Sequence, residues 1–447
     1  MSERDYARFA ISNPIHKLAP WKLVSGAEQC VTRFLYDSFH PARPDSGMLG
    51  YGKVESDGEV HRVTVEPTRY SDGAEITVKA WFHTFKRALA VHYPSVRISL
   101  NGDCLLISGT DRQTLDDFLR SSAAIAFREC KYSVNGFDSH NHTNGRFKID
   151  NALDGGITLS ANRNHPCRPR LARLDLVHMT RPEDLHAGFA RNELDVICIA
   201  GDETDILSGR DKRLQDGRII RSQSNSISTL FARPRGVLAD EGLRYAVAAA
   251  IPREEFGASH LKDSGRAACG FTEPTRSRDS VILRGQGKAR TGTEITFIVP
   301  PSERTVGRGR WIADWIAKRT GLNMRVVVPS WQNYWRAVHN PAGGDLLWGG
   351  ISVEEDQARY WVRYNLFGSW LPIPEYYESL RRLVWAAQAT DADLVAAERD
   401  LVEEGWVMPL YHHYQTYLVR RGLRGLHVDP ADWPIPGIHY ADQLTWD

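Results

Sequence analysis

Residues 294–356 constrain the fold of this chain most, because short apolar runs alternate there with amphipathic segments. The runs at 294–299, 324–328 and 345–348 have the length and the composition of buried strands. The two segments between them carry apolar residues at helical spacing, Trp311, Ile312, Trp315 and Ile316 in the first and Trp331, Tyr334, Trp335 and Val338 in the second. Strands that alternate with helices form a parallel sheet with right-handed crossovers, so this pattern predicts an α/β fold.

The carboxyl ends of these strands indicate where a ligand would bind. In open α/β sheets, ligands lie in the crevice beyond those ends. The third strand is followed by an acidic turn that contains Ser352, Glu354, Glu355 and Asp356. A carboxylate in a closed crevice would pair with a ligand ammonium group through a charge-assisted hydrogen bond. The alternative is that these acids lie in the solvated first turn of a helix, where they suit the helix dipole.

The overall charge excludes several classes of function. The chain has 447 residues, enough for two or three domains, and its 56 basic residues are balanced by 55 acidic ones. The basic residues are dispersed, so neither nucleic acid nor an anionic membrane surface is predicted as a partner. We find no apolar run of 18 residues, and therefore predict no membrane span.

Local signals predict several helix boundaries and one loop. Gly321 is expected to end the first helix of the opening stretch, and Ser330 to cap the second. Thr180 is expected to cap a helix, with Glu183 completing a capping box. Residues 257–292 are poor in apolar side chains and are predicted to form a long surface loop.

Two strand–helix–strand regions, one near 174–200 and one near 294–350, predict two α/β lobes. The chain would pass between them near residues 232 and 406. The predicted organisation is lobe I from 1–45, 140–233 and 407–447, a small α+β subdomain at 46–139, and lobe II from 234–406.

The patterns that would indicate a metal or an enzyme are weak or missing. The six cysteines are far apart and include no CxxC pair. His140 and His142 would need a third ligand, and the adjacent His412 and His413 would point to opposite faces of a strand. Motifs of nucleophilic or metal-dependent hydrolysis lack a supporting context. We therefore predict no metal, no cofactor and no catalytic residue.

The order of several short motifs resembles a known family. The motifs lie at residues 34–39, 70–77, 143–148, 240–254 and 398–411, with sequences such as YSDGAEIT, TNGRFK and DEGLRYAVAAAIPRE. Together they resemble the family 5 extracellular solute-binding proteins of ABC importers, which include oligopeptide, dipeptide and nickel binders. The resemblance extends over essentially the whole chain, and it depends on the shared order more than on any single motif.

This resemblance implies a two-lobed periplasmic-binding-protein-like fold of type II, cluster C, with an extra small subdomain. It implies a monomer that takes a small molecule or short peptide by hinge closure and delivers it to an ABC permease. Glu354 stands where peptide-binding members have the acid that anchors the ligand amine, whereas Ile351 replaces a tryptophan of the family pattern. The ligand-binding residues expected on these grounds are Glu354, Trp331, Tyr36, Trp348, Ser352, Tyr411 and Arg146.

The alternative to ligand binding for the aromatic residues in this set is that they pack in the core, because an aromatic helix face is usually buried. Two functional alternatives also remain. The early helix is similar to the ligand domain of sugar-phosphate-stress transcription regulators, which would favour a cytoplasmic sensor, and the fold could serve a biosynthetic enzyme. The family implies a periplasmic location, whereas the N-terminal sequence as written has no apolar leader and predicts a cytoplasmic one.

Overall fold

The structure is a computed structural model in which most of the chain forms two compact units. Unit 1 comprises Met1–Ile199, Asp205–Ser222 and Gln415–Asp447, and unit 2 comprises Ala200–Thr204 and Gln223–Tyr414. The residues that the structure describes are 4–15, 18, 26–41, 50–92, 95–121, 124–126, 133–134, 137–138, 143–152, 154–199, 206, 212–262, 265–272, 280–340, 343–351, 377–385, 389–428, 435–436 and 441–447.

The strands are β1 Tyr6–Ile11, β2 Gly52–Asp57, β3 Val60–Val65, β4 Thr68–Arg69, β5 Glu75–Ile76, β6 Arg97–Asn101, β7 Cys104–Ser108, β8 Ser133–Val134, β9 Phe137–Asp138, β10 Phe147–Ala152, β11 Ile157–Ala161, β12 Arg173–His178, β13 Val196–Cys198, β14 Gly217–Ala232, β15 Gly265–Ala267, β16 Glu294–Ile298, β17 Asn323–Val327, β18 Leu346–Ile351, β19 Val407–Arg420, β20 Leu423–Arg424 and β21 Thr445–Trp446.

The α-helices are α1 Gly26–Leu35, α2 Val78–His92, α3 Arg112–Arg120, α4 Pro182–Ala190, α5 Glu241–Ala250, α6 Arg253–Phe256, α7 Glu303–Thr320, α8 Trp331–His339, α9 Glu378–Trp385 and α10 Asp391–Glu403. A π-helix, Gly257–Leu261, follows α6 directly. Among the described residues, no helix combines the length and the apolarity needed to cross a membrane.

Unit 1 is built around a mixed sheet in the order β10-β11-β12-β1-β13-β19. The strand β1 runs parallel to both β12 and β13, and its side chains alternate between buried and partly buried positions. A second, four-stranded antiparallel sheet has the order β2-β3-β7-β6. Its hairpin between β6 and β7 pairs Asn101 with Cys104, so the two turn residues are Gly102, with a φ of +63°, and Asp103.

Unit 2 contains the strands of the opening stretch, and their predicted parallel arrangement is confirmed. The strand β16 runs parallel to both β17 and β18, and β14 pairs with β18 in the antiparallel direction. The helix α7 begins after the Ser302 cap and ends at Gly321 in the left-handed conformation, while Ser330 caps α8. Both boundaries predicted from Gly321 and Ser330 are therefore confirmed.

Two local predictions are wrong. The helix α4 is capped by Arg181 without a side-chain hydrogen bond, so Thr180 forms no capping box with Glu183. The reason is that Pro182 is the first helical residue, because its ring fixes the φ angle at a helical value. The N-cap position therefore falls on Arg181, and Thr180 lies one residue before it.

Residues 257–292 are not simply a surface loop, because they contain the π-helix, the strand β15 and the buried Phe271. Strand β15 joins β19 through backbone hydrogen bonds, which need no apolar sequence.

Two of the passages of the chain between the units lie inside long strands. The boundaries lie between Ser222 and Gln223 in β14 and between Tyr414 and Gln415 in β19. The lobe boundaries predicted at 233/234 and 406/407, and the separate subdomain over 46–139, stay predictions.

We expect Glu398 to be essential for the stability of unit 2. Its buried carboxylate on α10 accepts the backbone N–H groups of Phe271 and Thr272 at 2.6 and 2.9 Å. Glu398→Ala would leave two buried donors without this acceptor and lower the free energy of unfolding by about 2–5 kcal/mol, measured by urea unfolding. Glu398→Gln keeps one acceptor oxygen and should lose less, and the exposed neighbour Arg399→Gln should lose almost nothing. Equal losses for all three variants would contradict this assignment.

Candidate functional site

The carboxyl ends of the parallel strands in unit 2 form the candidate site. Strands β16 and β17 end at Ile298 and Val327, and beyond them the Val299 N–H donates to the Val327 carbonyl at 3.0 Å. The strand β18 continues past this level to Ile351. Helices α7 and α8 begin just after β16 and β17, so their N-terminal ends lie at the same edge of the sheet.

Trp331 lies at this edge as the first residue of α8. Its ring is partly buried and lies against Tyr334 and Trp335, with ring centroids 5.8 and 6.2 Å apart. The Tyr334 hydroxyl donates to the Trp348 carbonyl at 2.8 Å, which ties α8 to β18. Trp331 is therefore held at the strand ends, as its position in the sequence predicts, and its ligand-binding role stays a prediction.

Trp348 and Tyr411 are brought together by Phe256 of α6. The Phe256 ring centroid is 6.3 Å from that of Trp348 and 5.4 Å from that of Tyr411. Trp348 also stacks on Phe297 of β16 with nearly parallel rings. Both predicted site residues are buried within the core of unit 2, so each contributes to packing whether or not it touches a ligand.

A row of small and polar residues crosses the sheet next to these rings. Ser228 of β14 is paired with Gly350 of β18, and His413 of β19 is paired with Gly265 of β15. The Ser228 hydroxyl lies 3.0 Å from His413 Nε2. Burial, helped by the positive charge of Arg308, lowers the pKa of His413 to about 3, so this imidazole is neutral at physiological pH.

Arg308 of α7 lies close enough to His413 for its positive charge to act on the imidazole. It is nine-tenths buried, and its Nη2 donates to the His260 carbonyl at 2.7 Å. Its guanidinium carbon lies 6.0 Å from the centre of the Phe256 ring. The buried Nε has no hydrogen-bond partner, and no carboxylate of the described ranges lies within ion-pair distance of Arg308.

The other two predicted residues, Tyr36 and Arg146, adjoin in unit 1. The Gly145 N–H donates to the Leu35 carbonyl at 2.8 Å, and a Cβ at Gly145 would lie 2.6 Å from the Leu35 carbonyl carbon. Only glycine allows this approach of the two segments. Tyr36 is buried, and Arg146 is buried in an ion pair with Asp442 at 3.0 Å.

A buried polar cluster lies beside them. The Tyr51 hydroxyl donates to Asp37 Oδ2 at 2.6 Å, and His165 Nε2 lies 2.8 Å from the same oxygen. Burial, together with Asp37, raises the pKa of Tyr51 well above its usual value. His165 Nδ1 lies 2.9 Å from the Cys167 carbonyl oxygen and 3.0 Å from the Cys167 backbone nitrogen.

This cluster does not support hydrolytic chemistry. Both ring nitrogens of His165 are engaged, and burial raises the pKa of the Cys167 thiol, which keeps it protonated. The arrangement therefore connects segments of unit 1 and supplies no activated nucleophile.

Several predicted residues lie outside the described part of the chain. They are Ser352 and Glu354, with the neighbouring Glu355 and Asp356, and the histidine pair His140 and His142. Within the described ranges, no group of three or more His, Cys, Asp or Glu side chains could hold a metal ion.

Arg308 and Ser228 were not predicted from the sequence. The sequence does contain a signal for Arg308, because it precedes Ile312 and Ile316 by four and eight positions and therefore lies on the apolar face of its helix. An arginine at such a position is buried and needs a partner. Ser228 gives no comparable signal, since its neighbours come from distant parts of the chain.

Solved structures of other proteins show which fold this is. The Escherichia coli murein tripeptide binding protein MppA matches 100% of this chain and 99% of its own, with a TM-score of 0.81 and 14% identity. The Bacillus subtilis oligopeptide-binding protein AppA, in complex with a nonapeptide, matches 100% of both chains with a TM-score of 0.80 and 13% identity. Staphylococcus aureus NikA, in complex with Ni(L-His)2, matches 99% of this chain and 100% of its own, with a TM-score of 0.79 and 9% identity. The predicted two-lobed periplasmic-binding-protein-like α/β fold is confirmed.

The sequence itself identifies the family. The family described as "Bacterial extracellular solute-binding proteins, family 5 Middle" matches residues 47–280, more than half of the chain. The chain therefore belongs to the family 5 bacterial extracellular solute-binding proteins, and the resemblance noted from its motifs is confirmed. No curated protein matches the chain in sequence.

We expect His413 to make the stability of unit 2 depend on pH. Its pKa is about 3 in the folded protein and about 6.5 in an unfolded chain, so only the unfolded state gains a proton as the pH falls below 6.5. The free energy of unfolding should fall by about 2 kcal/mol between pH 6.5 and 5 on account of this residue. Urea unfolding of His413→Gln, which keeps a polar partner for Ser228, should show a correspondingly weaker pH dependence. The exposed His83→Gln serves as the control, and equal slopes for the two variants would refute the expectation.

Proposed function

We propose that this protein captures a small amine-bearing solute, a peptide or an opine-like compound, and delivers it to an ABC permease. The direction of β18 carries the proposal. This strand runs parallel to β16, so the acidic segment that follows Ile351 continues from the carboxyl end of a parallel strand. That is where ligands bind in open α/β sheets, and Glu354 supplies the charge that an ammonium group requires.

The comparisons favour a peptide-like ligand. The solved relatives include a murein tripeptide binding protein and a protein in complex with a nonapeptide. One relative from Microbacterium hydrocarbonoxydans is in complex with 4-hydroxybenzoate hydrazide, so the fold also accepts smaller aromatic compounds. The small solute proposed here lies within this range of ligand sizes.

The proposed mechanism is closure of the two lobes about their connecting strands. The chain passes between the compact units inside β14 and β19, and such connections can bend while each unit stays intact. A solute that binds the closed state more tightly than the open state would shift the population towards closure. The protein would act as a monomer, with Trp331, Trp348, Ser352, Tyr36, Tyr411 and Arg146 as further candidate contacts.

Native mass spectrometry of the protein purified from its own host would identify the solute. A retained amine-bearing compound would support capture. Turnover of that compound on incubation would contradict a pure binding function and favour the enzyme alternative.

We expect Glu354→Ala to weaken binding of that solute by about 2–4 kcal/mol, because truncating one member of a buried charge pair leaves the ammonium unpaired. Isothermal titration calorimetry would measure the loss. Glu355→Ala, the adjacent acid, is the matched control and should bind almost normally. Unchanged affinity of Glu354→Ala would exclude Glu354 as the anchor.

A further inference from the structure

We propose that Ser56 and His61 form a nucleophilic dyad on the four-stranded sheet of unit 1, which hydrolyses small carboxylic esters through an acyl-serine. Ser56 lies on the edge strand β2, and His61 lies directly opposite it on β3. The Ser56 Oγ is 2.8 Å from His61 Nδ1. This activity is separate from the capture of a solute and uses none of the residues proposed to bind it.

The contacts of His61 define the roles of its two ring nitrogens. Its Nε2 lies 2.9 Å from the Thr110 carbonyl oxygen, and a carbonyl can only accept a hydrogen bond. The proton of the neutral imidazole is therefore assigned to Nε2, which leaves the lone pair of Nδ1 for the Ser56 hydroxyl proton. A nucleophile, its base and a group that orients the base together make an activated serine.

The Thr110 carbonyl is held in place by the chain on both sides of it. Asp111 caps α3, because its carboxylate accepts the Thr114 N–H at 2.9 Å. On the other side, Gly109 has a φ of +80°, and a Cβ there would lie 2.6 Å from the Ser95 carbonyl oxygen. The carbonyl that orients the imidazole therefore belongs to a constrained turn, as a preorganised site requires.

Exposure distinguishes this pair from the contact between Ser228 and His413. Ser56 is exposed, whereas His61 is only 2% exposed, so a substrate can reach the hydroxyl while the base stays beneath the strand. Ser228 is buried, and burial lowers the pKa of His413 to about 3. That imidazole is too weak a base to take a proton from serine, so the chemistry is assigned to the first pair.

The pairing of β2 with β3 also directs the backbone of Ser56. The two strands are joined by a two-residue turn, so the residues that flank it, Asp57 and Val60, form a hydrogen-bonded pair. The next pair, Ser56 and His61, is then of the non-hydrogen-bonded kind, in which the side chains lie closer together. The Ser56 N–H therefore points away from β3, towards the open edge of the sheet.

This N–H can bind the oxyanion of a reaction intermediate. The direction of the edge groups is supported by Val54, two residues earlier, whose carbonyl accepts a hydrogen bond from Arg112 Nη1 at 2.9 Å. In serine proteases the N–H of the nucleophilic serine itself is one of the oxyanion donors. Such a donor lowers the barrier because it lies where negative charge develops. Ser56 thus supplies both the nucleophile and one donor.

The proposed reaction has two halves. In the first, Ser56 Oγ bonds to the ester carbonyl carbon and its proton passes to His61 Nδ1. The bond to the alcohol oxygen then breaks, and that oxygen takes the proton from Nδ1 and leaves as the alcohol. Water attacks the acyl-serine in the same way, which releases the carboxylic acid and restores the hydroxyl. The Thr110 carbonyl stabilises the imidazolium that forms in each half.

The residues around Ser56 favour a short, uncharged acyl group. Side chains alternate along β2, so Val54 shares the face of Ser56 while Glu55 and Asp57 project to the other face. Val54 is partly exposed and offers an apolar contact to the acyl chain. The substrate class is therefore a small neutral ester, for which 4-nitrophenyl acetate is the probe.

Turnover of 4-nitrophenyl acetate by the purified protein tests the dyad. Ser56→Ala should lower the rate of nitrophenolate release about 100-fold, a typical contribution of acid–base catalysis to one step. Because Ser56 is exposed, this variant should stay folded. Ser99→Ala is the matched control, since Ser99 is an exposed serine of β6 in the same sheet, opposite Leu106, and its loss should leave the rate unchanged.

A fluorophosphonate probe tests whether His61 activates the serine, because such probes label activated serines covalently. Peptide mapping should find the label on Ser56. His61→Gln keeps a donor for the Thr110 carbonyl but lacks the base, and should be labelled about 100-fold more slowly. Should this variant fail to fold, the wild type unfolded in urea makes the same comparison, since it keeps both residues without their contact.

Equal turnover by the wild type and Ser56→Ala would overturn the dyad. So would a label on Ser56 that persists at the same rate in folded His61→Gln or in urea. Ser56→Ala should retain the captured solute with unchanged affinity. A retained solute without any label on Ser56 would therefore refute the dyad and leave capture intact, whereas a label without a retained solute would support the dyad and count against capture.

Discussion

The register between β14 and β18 is the constraint on which the rest of unit 2 depends. Pairing Ser228 with Gly350 places Trp348 and Leu230 two residues further along on the same face, where the aromatic core begins. A slip of one residue along β18 would turn Trp348 and Gly350 together to the opposite face of the sheet, and Trp348 would leave the aromatic core. The strand β16 then pairs with the other edge of β18, which sets the direction in which the chain leaves the sheet after Ile351.

Buried charged groups have several kinds of partner in the two units, and Arg244 of unit 2 lies 3.7 Å from the acid Glu404. In unit 1 the buried Arg146 has an acidic partner, and the buried Asp195 is surrounded by Arg4, Arg420 and the Arg8 backbone N–H. Unit 2 places Arg233 at a helix C-terminus and Arg308 at a single carbonyl.

Much of the fold could be predicted from local patterns. The parallel strands, the Ser330 cap and the Gly321 stop depend on neighbouring residues, and the structure has them as predicted. The strand β15 could not be predicted, because Gly265–Ala267 is held by backbone bonds to β19. Of the candidate site, the strand-end position of Trp331 was predictable. The roles of Glu354, Ser352, Tyr36, Trp348, Tyr411 and Arg146 stay predictions.

The sequence by itself determined the fold class and the family, because periodicity, capping residues and motif order are local properties of the chain. Only the tertiary structure decided which polar groups meet. Ser228, Arg308 and His413 are up to 185 residues apart, and the Ser228–His413 contact exists because β14 and β19 are brought together by the sheet. The partner of a buried charge, such as Asp442 for Arg146, depends on such distant contacts and is therefore decided only by the tertiary structure.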